Sequence, residues 1–211
     1  MNKKTVKLKN LIKEHVTNNS REYFIVSLIF ITGIFLGVLF VNNMQETQQT
    51  DISGYINNFI EKLKNTENFD NMLLIKTSIK QNLILAFALW FFGTTVIGIP
   101  IVFGLVLYRG FCLGYTISVC ISIMGFSKGI TFILIALLLP NILFIPAILA
   151  LSVSGFKLYK SIVKDNRKEN IKLEVVRHTI FSLIMLILLI VSSFIEIYIA
   201  TNGLRVFVKY F

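Results

Sequence analysis

Few residues in this chain could carry chemistry, and most of them stand inside long apolar runs. Glu196 is the one carboxylate within such a run. A charge among apolar neighbours is costly unless it is paired or reaches water. The simpler reading puts Glu196 near the end of its run, with its carboxylate in a polar boundary layer. The sharper readings are an ion pair with Lys128 or a proton-linked role. Arg109 interrupts what would otherwise be one very long apolar stretch. Beside Gly110 it reads first as a turn, and second as an anchor whose guanidinium bonds backbone carbonyls. Pro140 and Asn141 are adjacent, with Pro146 one and a half turns on. A proline leaves a carbonyl one turn earlier without its donor. The Asn141 amide could serve that carbonyl or bridge to another helix. That pairing fits a structural kink, and it also fits the broken helix of a transport site.

Beyond these, the chain offers little. His15 and His178 have no carboxylate or cysteine at metal-ligand spacing. Cys112 and Cys120 have no CxxC spacing and sit in an apolar run, where cysteine packs as a small apolar residue. There is no Walker loop, no nucleophile elbow and no HExxH. Gly110-x-x-x-Gly114 has the small-residue spacing of close helix packing in membranes. We therefore expect no enzyme activity, no cofactor and no metal.

The elements that must position these residues are set by composition. Of 211 residues, 55% are hydrophobic and 15% charged, and the mean hydropathy is +0.75. One soluble core of this size could not bury so much apolar surface. A bilayer-spanning helix needs about 20 apolar residues. Five runs qualify, at 23–41, 83–107, 110–127, 129–156 and 179–200. The first is followed by Asn42-Asn43 without a small-residue cleavage pattern, so it reads as an uncleaved span. The second run would exceed the bilayer core, and a kink at Pro100 would absorb the excess. The third is short enough that residues 111–126 could span or re-enter. The fold class expected is all-α integral membrane protein: about five transmembrane helices plus an amphipathic segment outside the membrane.

That segment covers residues 42–82. Ile52, Tyr55, Ile56, Phe59, Ile60 and Leu63 are spaced 3, 1, 3, 1, 3, one stripe of a 3.6-residue helix. Such a stripe can lie on a membrane surface or dock a partner helix. A second amphipathic stretch with Phe69, Met72, Leu73 and Ile79 runs on into the following span.

Charge gives the orientation. With the N-terminus inside, the basic segment 1–22, the Arg109 turn and the loop 157–178 hold 14 of the 21 Lys and Arg residues. Lys and Arg collect in cytoplasmic loops. The expected layout is a cytoplasmic segment 1–22, a first transmembrane helix at 23–41, the outer segment 42–82, a four-helix membrane bundle over 83–200 and an outer tail 201–211. The net charge of +10 is then accounted for by topology, so membrane lipid is an expected partner and nucleic acid is not.

The order of elements resembles the stage II sporulation protein M family over nearly the whole chain. The resemblance rests on Gly93-Thr94, on Gly98-Ile99-Pro100, on Leu107-Tyr108-Arg109-Gly110-Phe111-Cys112-Leu113-Gly114-Tyr115 and on Leu139-Pro140-Asn141-Ile142-Leu143-Phe144-Ile145-Pro146-Ala147. Distant members of the superfamily often carry His-Gly and a Glu between the two prolines, where this chain has Asn141-Ile142 and Phe144. The resemblance implies a scaffold in the cell membrane at the sporulation septum. It would assemble and localise the peptidoglycan hydrolases, stage II sporulation proteins D and P, during forespore engulfment. The alternative from the residues alone is a small multi-pass transporter or channel. A homo-oligomer is open under either reading.

Overall fold

A computed structural model describes residues 16–64, 71–164, 168–200 and 202–203. Much of the basic N-terminal segment, Phe69 and Asp70, the centre of the 157–178 loop and most of the 201–211 tail lie outside the described residues. The helices are α1 (Ser20–Asn42), α2 (Glu46–Lys64), α3 (Asn71–Gly93), α4 (Ile99–Met124), α5 (Phe126–Ile133), α6 (Leu139–Lys164) and α7 (Lys168–Ile195). Two π-helical turns, Leu134–Leu138 and Glu196–Ala200, precede α6 and follow α7. No strand occurs among the described residues.

Five helices are long and apolar enough to cross a membrane: Ser20–Asn42, Met72–Gly93, Ile99–Met124, Asn141–Val163 and Ile171–Tyr198. Their outward faces are apolar too. Phe24, Ile31, Phe35, Ile84, Phe87 and Ile187 are all about 60–70% exposed, a surface that only lipid covers cheaply. The chain is thus an all-α membrane protein, as composition required.

The helix boundaries differ from those expected. Arg109-Gly110 is not a turn but lies inside α4, a continuous helix of 26 residues. The break falls earlier, at residues 94–98, where Gly98 packs against the Phe92 carbonyl and the Thr95 hydroxyl so closely that a Cβ would not fit. Pro100 then occupies the first turn of α4, where a missing N–H costs nothing, and it kinks no span. With the break moved, α3 begins at Asn71, so residues 72–82 belong to a spanning helix rather than to the outer segment. Residues 111–126 accordingly divide between the second half of α4 and the Gly125 turn into α5. That turn needs glycine, because its φ is +79°. The expected loop at 157–178 is mostly helix as well: α6 runs to Lys164 and α7 starts at Lys168. Lys and Arg are good helix formers and do not end a helix by themselves.

α6 is the central helix. Half of its spanning residues are buried, against 22–33% in the other four. Ala147, Ile148, Leu151 and Val153 of α6 meet Leu85 and Leu89 of α3, Val102 and Val106 of α4, and Met185 and Leu189 of α7. α1 completes the bundle by packing along α4. Gly33 lies on the backbone of Leu107, Gly37 on Phe111 and Tyr115, Gly110 on Phe30, and Gly114 on Ile34. Numbers rise together on both helices, so α1 and α4 are parallel. Lys160 of α6 bonds Glu22 of α1 at 2.7 Å and ties the two helices together at the end where α1 starts, here the near end.

Candidate functional site

Of the described sequence candidates, Gly110 and Gly114 lie in the α1–α4 seam, Pro100 opens α4 and Pro146 lies within α6, while the others gather in a polar chamber inside the bundle or on helix α2 beyond its far end. The chamber has a volume of about 140 Å³. α3 contributes Ser78, Gln81 and Asn82, one polar stripe at helical spacing. Arg109 enters from α4, Asn141 and Phe144 from α6, and Ser192 and Glu196 from the last helix and its π turn. Leu137 closes it from the other π turn. Single π turns inside α-helices are frequent at functional sites, and here both border one chamber.

Five of the polar residues have a defined anchor: Ser78, Asn82, Arg109, Asn141 and Glu196. The Asn82 amide donates from Nδ2 to Ser193 Oγ at 2.7 Å and to the Leu189 carbonyl at 3.3 Å. This cross-helix bond holds α3 against α7 where both are buried. The Asn141 Nδ2 donates to the Leu137 carbonyl at 2.7 Å, four residues before it, whereas the carbonyl four residues before Pro140 is that of Ala136. The side chain of Pro140 itself lies outside the described residues, while Pro146 is exposed within α6. Ser78 donates to Glu196 Oε2 at 2.8 Å. Glu196 is exposed at the mouth of the chamber, two residues before the end of the Ile171–Tyr198 span. The Arg109 guanidinium lies 5.3 Å from the centroid of the Phe144 ring, a cation–π contact. It takes part in neither described ion pair, Lys160–Glu22 or Arg177–Glu174. Counted along α4, Arg109 is ten residues from the helix start, roughly 15 Å into the bundle at 1.5 Å per residue. It therefore sits at membrane depth, the second of its two expected settings, with an aromatic ring in place of backbone carbonyls.

Helix α2 is the other candidate. Its first half faces the far ends of α1 and α4 across a cavity of about 550 Å³, lined among others by Met44, Gln49, Ile52, Val119 and Ile123. The stripe does not act as one face. Ile52 and Ile56 are half-buried, whereas Tyr55 is 77% exposed. The side chains of Phe59, Ile60 and Leu63 lie outside the described residues. No extensive packing of α2 on another helix occurs among the described residues.

Sequence reasoning missed a third cluster near the other end. His178 is buried, with Ser154 Oγ 2.9 Å from Nδ1 and the Trp90 carbonyl 3.4 Å from Nε2. A carbonyl can only accept, so Nε2 carries the proton and Nδ1 accepts from the Ser154 hydroxyl. The imidazole fastens α3, α6 and α7 where Gly93 and Gly155 bring two backbones together. The sequence separation of 24 between Ser154 and His178 hid this pair. The glycine seam was half legible: Gly110-x-x-x-Gly114 stood out, while its counterpart Gly33-x-x-x-Gly37 in the first span was passed over.

Comparison with known proteins fits this architecture. The family model described as Stage II sporulation protein M matches residues 26–201, from within α1 to the end of the last span. The chain is also similar to an uncharacterised protein of Methanocaldococcus jannaschii, at 28% identity over 177 residues, which is 82% of this chain and 89% of that protein. No solved structure matches.

Proposed function

We propose, from the premise that this chain belongs to the stage II sporulation protein M family, that it is a membrane scaffold for the wall-cutting enzymes of forespore engulfment. Membership ties the chain to sporulation, and its helices make it a membrane protein. The finer reading is that it holds stage II sporulation proteins D and P at the septum and has no catalytic step of its own. The observation that carries it is α2: an amphipathic helix at the far end of the bundle that exposes a tyrosine and leaves its neighbours room for a guest. Buried tyrosines are frequent anchors of protein interfaces because a large ring loses little conformational freedom on docking. With the N-terminus cytoplasmic, that end faces the wall. Cysteines placed in α2 should then react with an impermeant reagent on intact cells, and cysteines near residue 160 should not; the reverse pattern would take the wall-facing surface away.

The direct test is co-purification of both hydrolases with the detergent-extracted chain. We expect Tyr55→Asp with Phe59→Asp to abolish retention while the bundle stays folded. Unchanged retention and septal localisation in that double variant would remove α2 from the interface.

A second reading, a small transporter, draws on the polar chamber alone. It requires solute flux in liposomes that Arg109 and Glu196 variants reduce, and flux indistinguishable from empty liposomes would end it.

A further inference from the structure

We propose that the chamber between Arg109 and Glu196 binds a small zwitterion of the size of a two- or three-carbon amino acid, its carboxylate on Arg109 and its ammonium on Glu196. A cation and an anion line one cavity of about 140 Å³, and no described ion pair joins them. Opposite charges that line one cavity attract each other and draw together unless each is held elsewhere. Each is held. Phe144 takes the face of the guanidinium, which leaves the N–H groups in its plane free to donate. Ser78 takes one oxygen of the Glu196 carboxylate and leaves Oε1 free to accept. Two of the three chamber amides are committed in the same sense, and the third, Gln81, can present either its oxygen or its N–H groups. Asn82 spends both Nδ2 hydrogens on protein groups and Asn141 one of its two, while their Oδ1 atoms remain as acceptors for an ammonium. The walls thus offer guanidinium donors at Arg109 and free acceptor oxygens at Glu196, Asn82 and Asn141, the complement of a carboxylate joined to an amine.

Size narrows the class further. The chamber would hold about five waters at ~30 Å³ each, the bulk of glycine or alanine, and a longer side chain would have to leave through the mouth beside Glu196. An arginine at membrane depth without a carboxylate is expensive to keep, and such residues are retained chiefly where they serve a site. The proposal needs neither the hydrolases nor flux, so it stands or falls apart from both readings above.

The experiment uses the full chain in nanodiscs, titrated calorimetrically with L-alanine, glycine, acetate, ethylamine and L-leucine. We expect alanine and glycine to bind at least about tenfold more tightly than either single-charge analogue, because each end adds one charge-assisted pair. Leucine should bind at least about tenfold more weakly than alanine. Arg109→Gln and Glu196→Gln should each weaken alanine by about tenfold or more, and Glu196→Gln should leave acetate unchanged. Should Arg109→Gln fail to elute as a folded protein, Glu196→Gln and the ligand series decide alone. Alanine binding no tighter than acetate would reduce the site to an anion site and overturn the proposal. So would heats no larger than buffer for every ligand, which would mean that the chamber holds water only.

Discussion

Arg109 and Gly110 are neighbours on one helix and belong to opposite kinds of interior. Gly110 looks into the seam between α1 and α4, where two backbones touch with no side chain between them. Arg109, about 100° further round the helix, looks into a chamber lined by polar groups. Lipid tails are as apolar as leucine, so helices in a bilayer gain little by hiding greasy side chains from it. They gain by approaching closely enough for dispersion and weak Cα–H···O contacts, which is what glycine on both helices permits. The seam is therefore where the bundle takes its stability. The chamber is where it gives some up, since an Arg without a carboxylate partner adds nothing to folding.

That contrast can be broken experimentally, and the largest effect belongs to the seam. Gly110→Leu should lower stability by about 3 kcal/mol, because a side chain there meets the Phe30 carbonyl and must push two backbones apart. Thermal unfolding in detergent reads this out, and a variant that melts with the parent would mean the seam is looser than drawn. Next comes Asn82→Leu, which removes the cross-helix bonds to Ser193 and Leu189; we expect a loss of about 1 kcal/mol on the same assay. Lys160→Met should cost about 0.5 kcal/mol, since the Lys160 side chain is 36% exposed and water screens its pair with Glu22. Arg109→Met should change stability least, by less than about 0.5 kcal/mol, or raise it, because an uncompensated charge is replaced by a side chain of similar length. If Arg109→Met proves as damaging as Gly110→Leu, the guanidinium is part of the packing and the division between seam and chamber fails.

A chain with several 20-residue apolar runs has one class of fold open to it, because a bilayer demands that every backbone group be bonded within its own segment. The helical character and the count of five spans could be read directly on that ground. The boundaries could not. Arg109-Gly110 interrupts the hydropathy, and hydropathy was the only ruler available, yet backbone hydrogen bonds run straight through it. The real break at 94–98 is uncharged, and its cause is the tight turn at Gly98 followed by Pro100. The stripe on α2 was visible as periodicity, but periodicity does not say which of its residues meet the bundle, and Ile52 and Tyr55 fall on different sides of that question.

What composition and spacing determined, then, were the solvent of this protein, its helices and the identity of its odd residues. Each of these is local, summed over one segment, and indifferent to the rotation of its neighbours. Which odd residues meet was left to tertiary structure. Ser78, Arg109, Asn141 and Glu196 come together across more than a hundred residues of chain because packing sets how each helix is turned, and for α4 it is the glycine contacts with α1 that do so. A helix turned by 100° would keep the same hydropathy and exchange the chamber for the seam.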